Sequence, residues 1–172
     1  MLNKKRILEL FNELDLELKK KSIHGDLFIV GGAAMSVAYD SRPSTKDIDG
    51  IWKPSKEVRV AAKAVANRNT DIGEDWLNDG VKGFLPGKND DSQKVVYSGE
   101  NFTVAAASPK YLLATKILAS RASQDVDDIK FLIALCKFGT VGECLDIVEA
   151  YYPGRPIEAK SRFLLEELLE DA

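Results

Sequence analysis

The 172 residues, 45% hydrophobic and 30% charged, suit one globular domain or a core with an appended subdomain. A formal net charge of −3 offers polyanions no general attraction and so excludes strong general DNA binding. One histidine and two cysteines, Cys136 and Cys144, without CxxC spacing exclude a Cys/His zinc site, and with no signal-peptide h-region or membrane-length apolar run a cytoplasmic, non-membrane protein is expected.

Taken in chain order, Ile7, Leu10, Phe11, Leu14 and Leu18 recur at helical spacing, which predicts an amphipathic helix over residues 3–20. "DLFIV" (Asp26–Val30) is a short apolar run ended by Gly31-Gly32 and reads as a buried strand. His24, just ahead of it beside Gly25 and Asp26, reads as a turn residue and not as the base of a catalytic triad. Ala33–Tyr39 suits a short helix, "DSRPST" a loop, and "DIDGIW" (Asp47–Trp52) a second strand. A helix opens at Pro54-Ser55 and ends near Asn67. Residues 69–93 are the least regular stretch, anchored by Trp76, Leu77, Phe84 and Leu85. "KVVYS" and "FTVAAA" flank Gly99-Glu100-Asn101 as a hairpin.

The character then changes. Ser108-Pro109 is an N-cap and N1 pair for a helix reaching Arg121, Ser123 begins another reaching Phe138, and Thr140 with Glu143 forms a capping box for a third. Phe163, Leu164, Leu165, Leu168 and Leu169 mark a last helix, their stripe serving as core or dimer surface. The expected division is an α/β core over residues 1–108 and a helical subdomain over residues 109–172.

The chemistry concentrates in residues 30–52. Residues two apart on a strand share a face, so Asp47 and Asp49 would project together while Ile48 and Ile51 bury on the other face. Two adjacent carboxylates repel unless a cation or a base intervenes. Magnesium takes hard oxygen ligands and bridges one or two carboxylates to substrate phosphates. A Gly-Gly turn feeding a helix lets backbone N–H groups cradle a phosphate.

Gly31-Gly32, the following helix and Asp47-Ile48-Asp49 together resemble the nucleotidyltransferase superfamily of DNA polymerase β, with a slightly longer linking segment. A closer resemblance is to bacterial AbiEii-related nucleotidyltransferase-like proteins. It rests on Arg42, Ser44 and Thr45 ahead of Asp47 and Asp49, and on "LLATKILASR" (Leu112–Arg121) followed by Asp125 and Asp128-Ile129. The two motifs stand in the family's order and cover roughly residues 25–135.

The resemblance implies an α+β fold: a nucleotidyltransferase-like mixed sheet with flanking helices, followed by a C-terminal helical subdomain. It implies Asp47 and Asp49 as catalytic residues holding Mg2+, and Gly31, Gly32, Arg42, Thr45 and Lys116 as nucleotide-binding. Asp125 and Asp128 would orient Lys116 or Arg121. It further implies transfer of a nucleoside monophosphate from an NTP to a hydroxyl of a protein, an RNA end or a small molecule, with a partner protein in a toxin–antitoxin or phage-defence pair. One departure matters: the superfamily's third carboxylate has no counterpart on either hairpin strand, leaving Glu100, Asp75 and Asp79 as substitutes. A catalytically silent member that binds a nucleotide or a partner is the alternative.

Overall fold

A computed structural model describes residues 1–119 and 121–170, residue 122 by its backbone. The chain forms two compact units, residues 1–84 with 93–107, and residues 85–92 with those from 108 onward.

The first unit contains, in order, β1 (Leu2–Asn3), α1 (Lys4–Lys20), β2 (Gly25–Ile29), α2 (Gly31–Tyr39), β3 (Ser44–Thr45), β4 (Ile48–Lys53), α3 (Ser55–Arg68), β5 (Leu77–Asn78), β6 (Lys94–Ser98) and β7 (Phe102–Ala106). The Asn3 side chain caps α1 by accepting from the Arg6 N–H at 2.8 Å, and the helix buries Ile7, Leu10, Phe11, Leu14 and Leu18. The sheet order is β5-β4-β2-β7-β6. The β2 strand runs antiparallel to β4 and parallel to β7, so the sheet is mixed.

Strand alternation gives this sheet two unlike faces. A Cβ on Gly25 would meet Leu18 at 2.8 Å and Val58 at 3.0 Å, which places α1 and α3 over the face that Gly25 shares with Leu27 and Ile29. The α2 helix covers the same face, where Lys94 donates to the Ala38 carbonyl at 3.0 Å. The opposite face, with Asp26, Phe28, Ile51, Thr103 and Ala105 in register, carries none of these three helices.

Three local expectations change. The α2 helix begins at the glycine pair itself and not at Ala33. The β4 strand begins at Ile48, which leaves Asp47 in the bend before it. Ile51 is the register partner of Phe28 and lies on the face of Asp49, whereas Ile48 alone is fully buried on the other. The same period of two that pairs Asp47 with Asp49 also puts Ile51 beside Asp49.

The second unit holds α4 (Pro109–Ala119), α5 (Ala122–Cys136), α6 (Val141–Tyr151) and α7 (Ala159–Glu170). Ser108 Oγ accepts from the Tyr111 N–H at 3.4 Å at the head of α4, and buried Asp90 holds Ser108 through its N–H at 2.6 Å and its hydroxyl at 2.8 Å. Thr140 and Glu143 make the reciprocal capping box of α6. The chain is therefore α+β, with a mixed sheet flanked by helices and a helical C-terminal region. Among the described residues no helix is long and apolar enough to cross a membrane.

Candidate functional site

The site grows from the end of β2. Val30 N–H donates to the Asp49 carbonyl at 3.0 Å, which carries the β2–β4 ladder one residue further and sets Asp49 level with the turn. Gly31 then takes φ +59°, the left-handed region open to glycine, and a Cβ there would stand 3.4 Å from Asp49 Oδ2. A Cβ on Gly32 would lie 2.7 Å from Thr45 Oγ1 and 3.5 Å from Arg42 Nη1. The glycines thus leave a bare backbone cradle, with Asp49 at one wall and Thr45 and Arg42 at the other. It coincides with the start of α2, whose N-cap residue Val30 makes no side-chain cap hydrogen bond. First-turn N–H groups at such an end have no intrahelical acceptor and carry the positive pole of the helix dipole.

The loop that brings Arg42 and Thr45 to this wall is pinned at both ends. Ser41 donates from its N–H and its hydroxyl to the Met35 carbonyl, each at 3.1 Å, closing α2 where Asp40 adopts φ +52°. At the other end Thr45 pairs with buried Leu2 in a small antiparallel ladder, and Lys4 meets Asp40 at 2.7 Å.

The two carboxylates come to one end of the open face. Asn78 on β5 is the register partner of Asp49, so the two share a face, and its Nδ2 donates to Asp47 Oδ2 at 3.1 Å. Sequence reasoning missed Asn78. Its two-residue strand sits in the irregular stretch, and only the parallel pairing with β4 reveals it.

No acid joins them from β7, whose open-face residues are Thr103 and Ala105. Glu100 lies in the turn before Phe102, which pairs with Gly25, and it bonds Lys19 at 2.6 Å. Five residues of strand, about 17 Å, separate Gly25 from the level of Asp49, so Glu100 is no substitute. Asp79 is engaged by Arg59 at 2.8 Å. Among the described residues no group of three or more Asp, Glu, His or Cys is arranged to hold a metal ion.

Lys116 belongs to the helical unit. Its ammonium lies 2.6 Å from Asp125 Oδ1 and 2.7 Å from Asp128 Oδ2, and its side chain is 9% exposed. Asp125 and Asp128 are thus partners of Lys116, one turn apart on α5.

Two hard-oxygen side chains beside an uncapped helix start and a bare backbone suit one ligand chemistry above others, a phosphate accompanied by a divalent cation. The donor set fits magnesium, which commonly takes one or two protein carboxylates and completes its shell with substrate oxygens and water.

Residues 5–153 match the family model described as nucleotidyltransferase of unknown function (DUF6036). No curated protein and no solved structure matches the chain. A glycine cradle at a helix start, one carboxylate on the neighbouring strand with another in the bend before it, and this match over most of the sequence agree, and the chain belongs to that family of nucleotidyltransferases.

Proposed function

We propose that the protein is a magnesium-dependent nucleotidyltransferase that moves a nucleoside monophosphate from an NTP to an acceptor hydroxyl and releases pyrophosphate. The observation that carries this reading is the Asp49 carboxylate beside the bare backbone of Gly31, with Asp47 tethered by Asn78 at the same end of the sheet. Asp47 and Asp49 would hold the magnesium, whose contribution is to neutralise phosphate charge. The first-turn N–H groups of α2 bind the triphosphate, Gly31 and Gly32 allow its close approach, and Arg42 and Thr45 supply a guanidinium and a hydroxyl at the Gly32 wall. The reaction forms one bond from the acceptor oxygen to the α-phosphorus, breaks the α–β bridge to release pyrophosphate, and passes the hydroxyl proton to water.

The acceptor class proposed is a hydroxyl of a protein, an RNA end or a small molecule, and the setting a cytoplasmic toxin–antitoxin or phage-defence pair with a partner protein. Lys116 enters with a condition. Its ammonium is already shared between Asp125 and Asp128, so a phosphate would have to compete with two carboxylates for it. A second reading, a catalytically silent nucleotide- or partner-binding protein, is favoured by the threonine and alanine on the open face of β7. The test is incubation with each α-labelled NTP, magnesium and cell extract. Label transfer that disappears in Asp49→Asn supports the enzyme, tight NTP binding without transfer supports the silent reading, and absence of binding contradicts both.

A further inference from the structure

The open face next to the carboxylates is built in three successive rows across the strands. Asp49 and Asn78 form the first. One pleat repeat further, Ile51, Phe28, Ala105 and Val95 face one another across β4, β2, β7 and β6. The next repeat brings Lys53, Asp26 and Thr103 into line. At about 3.4 Å per residue the apolar row lies about 7 Å from Asp49 and the polar row about 14 Å. A cavity of about 500 Å³ opens over the second and third rows, walled by Asp79, Lys82 and Gln93. That volume is in the range of sites for small organic ligands.

Two features say what fits. The floor is apolar and partly open: Val95, just ahead of a register shift in β6, is 58% exposed, Phe28 and Ile51 are partly exposed, and Ala105 is buried. The rim mixes signs, Lys53 and Lys82 with Asp26 and with Asp79, which also meets Arg59 at 2.8 Å. It offers donors and acceptors together, the chemistry that reads the edge of a neutral heterocycle. The sequence of rows along β4 (carboxylates, apolar floor, mixed polar edge) runs in the order phosphates, face of the base, polar edge of the base.

We propose that this cavity is the nucleoside pocket of the protein. The nucleotide lies along β4 with its phosphates at Gly31 and Asp49, its base over Phe28 and Ile51, and the base edge at Lys53, Asp26 and Thr103, which set the preference among the four NTPs. The proposal rests on the reading of the Gly31–Asp49 site as the phosphate site, and the experiment separates the two. Calorimetry compares magnesium tripolyphosphate with each magnesium NTP on the wild type, Asp49→Asn, Val95→Trp and Ala105→Leu, with thermal melts confirming the fold. Val95→Trp adds its bulk at an exposed position and decides the matter where Ala105→Leu melts early. Both pocket variants should weaken NTP binding by about tenfold or more and leave tripolyphosphate binding unchanged, while Asp49→Asn weakens both ligands. Unchanged NTP affinity in folded pocket variants, with both ligands still sensitive to Asp49→Asn, overturns the pocket and leaves the phosphate site standing. A wild type that binds neither ligand overturns both.

Discussion

On the helix-covered face of the sheet, Leu27, Ile29, Ile48, Phe102 and Val104 are between 0 and 2% exposed, whereas Asp26, Phe28, Asp49, Ile51 and Thr103 remain partly exposed on the other face. The same strands therefore do two jobs at a period of two. One face supplies the burial that stabilises the unit, and the other leaves its side chains partly exposed. Substitutions should separate accordingly, into those that cost stability and those that cost binding.

The largest expected effect is on the covered face. Phe102 is fully buried and packs edge-on against Phe11 at 6.1 Å. Phe102→Ala should lower stability by about 3–5 kcal/mol, read as a shift of the urea midpoint. A Phe28→Ala change on the open face should cost much less, and equal costs would erase the distinction between the faces.

Lys116→Ala extends the comparison to the helical unit. Removing the ammonium from a buried ion cluster takes a close cation from Asp125 and Asp128, which should cost about 3–5 kcal/mol, with the folded fraction binding NTP as before. If the midpoint holds and NTP affinity falls while AMP affinity does not, the lysine is a phosphate ligand.

A smaller effect is expected at the cradle. In Gly32→Ala the new methyl would sit 2.7 Å from Thr45 Oγ1, so the loop must shift. Stability should fall by about 1–2 kcal/mol, and NTP affinity should fall further than that loss explains. Intact affinity would show that the Gly32 wall does not touch the ligand.

The smallest effects are those of pH. Hydrogen bonds from Lys20 and Arg68 hold the Glu17 carboxyl below its ordinary range, and backbone and hydroxyl donors at Gly139 and Thr140 do the same for Glu143. These groups ionise more readily folded than unfolded. Their contribution is present above the unfolded carboxyl value of about 4.3 and is lost as pH falls through the folded values. Burial pushes the Cys144 thiol up to about 11, and burial with a hydrogen bond to Asp15 pushes Tyr97 to about 12. An unfolded thiol ionises near 8.5, so stability should also decline as pH rises beyond about 8.5. Urea midpoints across pH 3–10 check both limbs, and Cys144→Ala should flatten the alkaline one.

Much of the fold was legible because its signals are local. The stripe of α1, the Ser108 and Thr140 caps and the hairpin around Gly99 all follow from spacing and turn chemistry within a few residues. The glycine cradle was legible as a pair but not as a helix start, since Gly31-Gly32 reads as a turn, whereas α2 begins at Gly31 even though that residue takes φ +59°. What escaped was long-range. Asn78 reaches Asp47 through a two-residue strand with no periodicity, Leu2 fixes Thr45 across more than forty residues, and the row Ile51–Phe28–Ala105–Val95 exists only through register. Ile51 misled because apolar character alone does not say which face of a half-covered sheet a residue takes.

The central claim is that Asp47 and Asp49 unite a cation and a triphosphate at the Gly31–Gly32 cradle. Calorimetric titration of NTP with and without magnesium, into the wild type and into Asp47→Asn with Asp49→Asn, tests it most directly. Magnesium-dependent NTP binding is expected in the wild type, and its loss in a double variant that melts at an unchanged temperature. Equal NTP affinity in the folded double variant would contradict it.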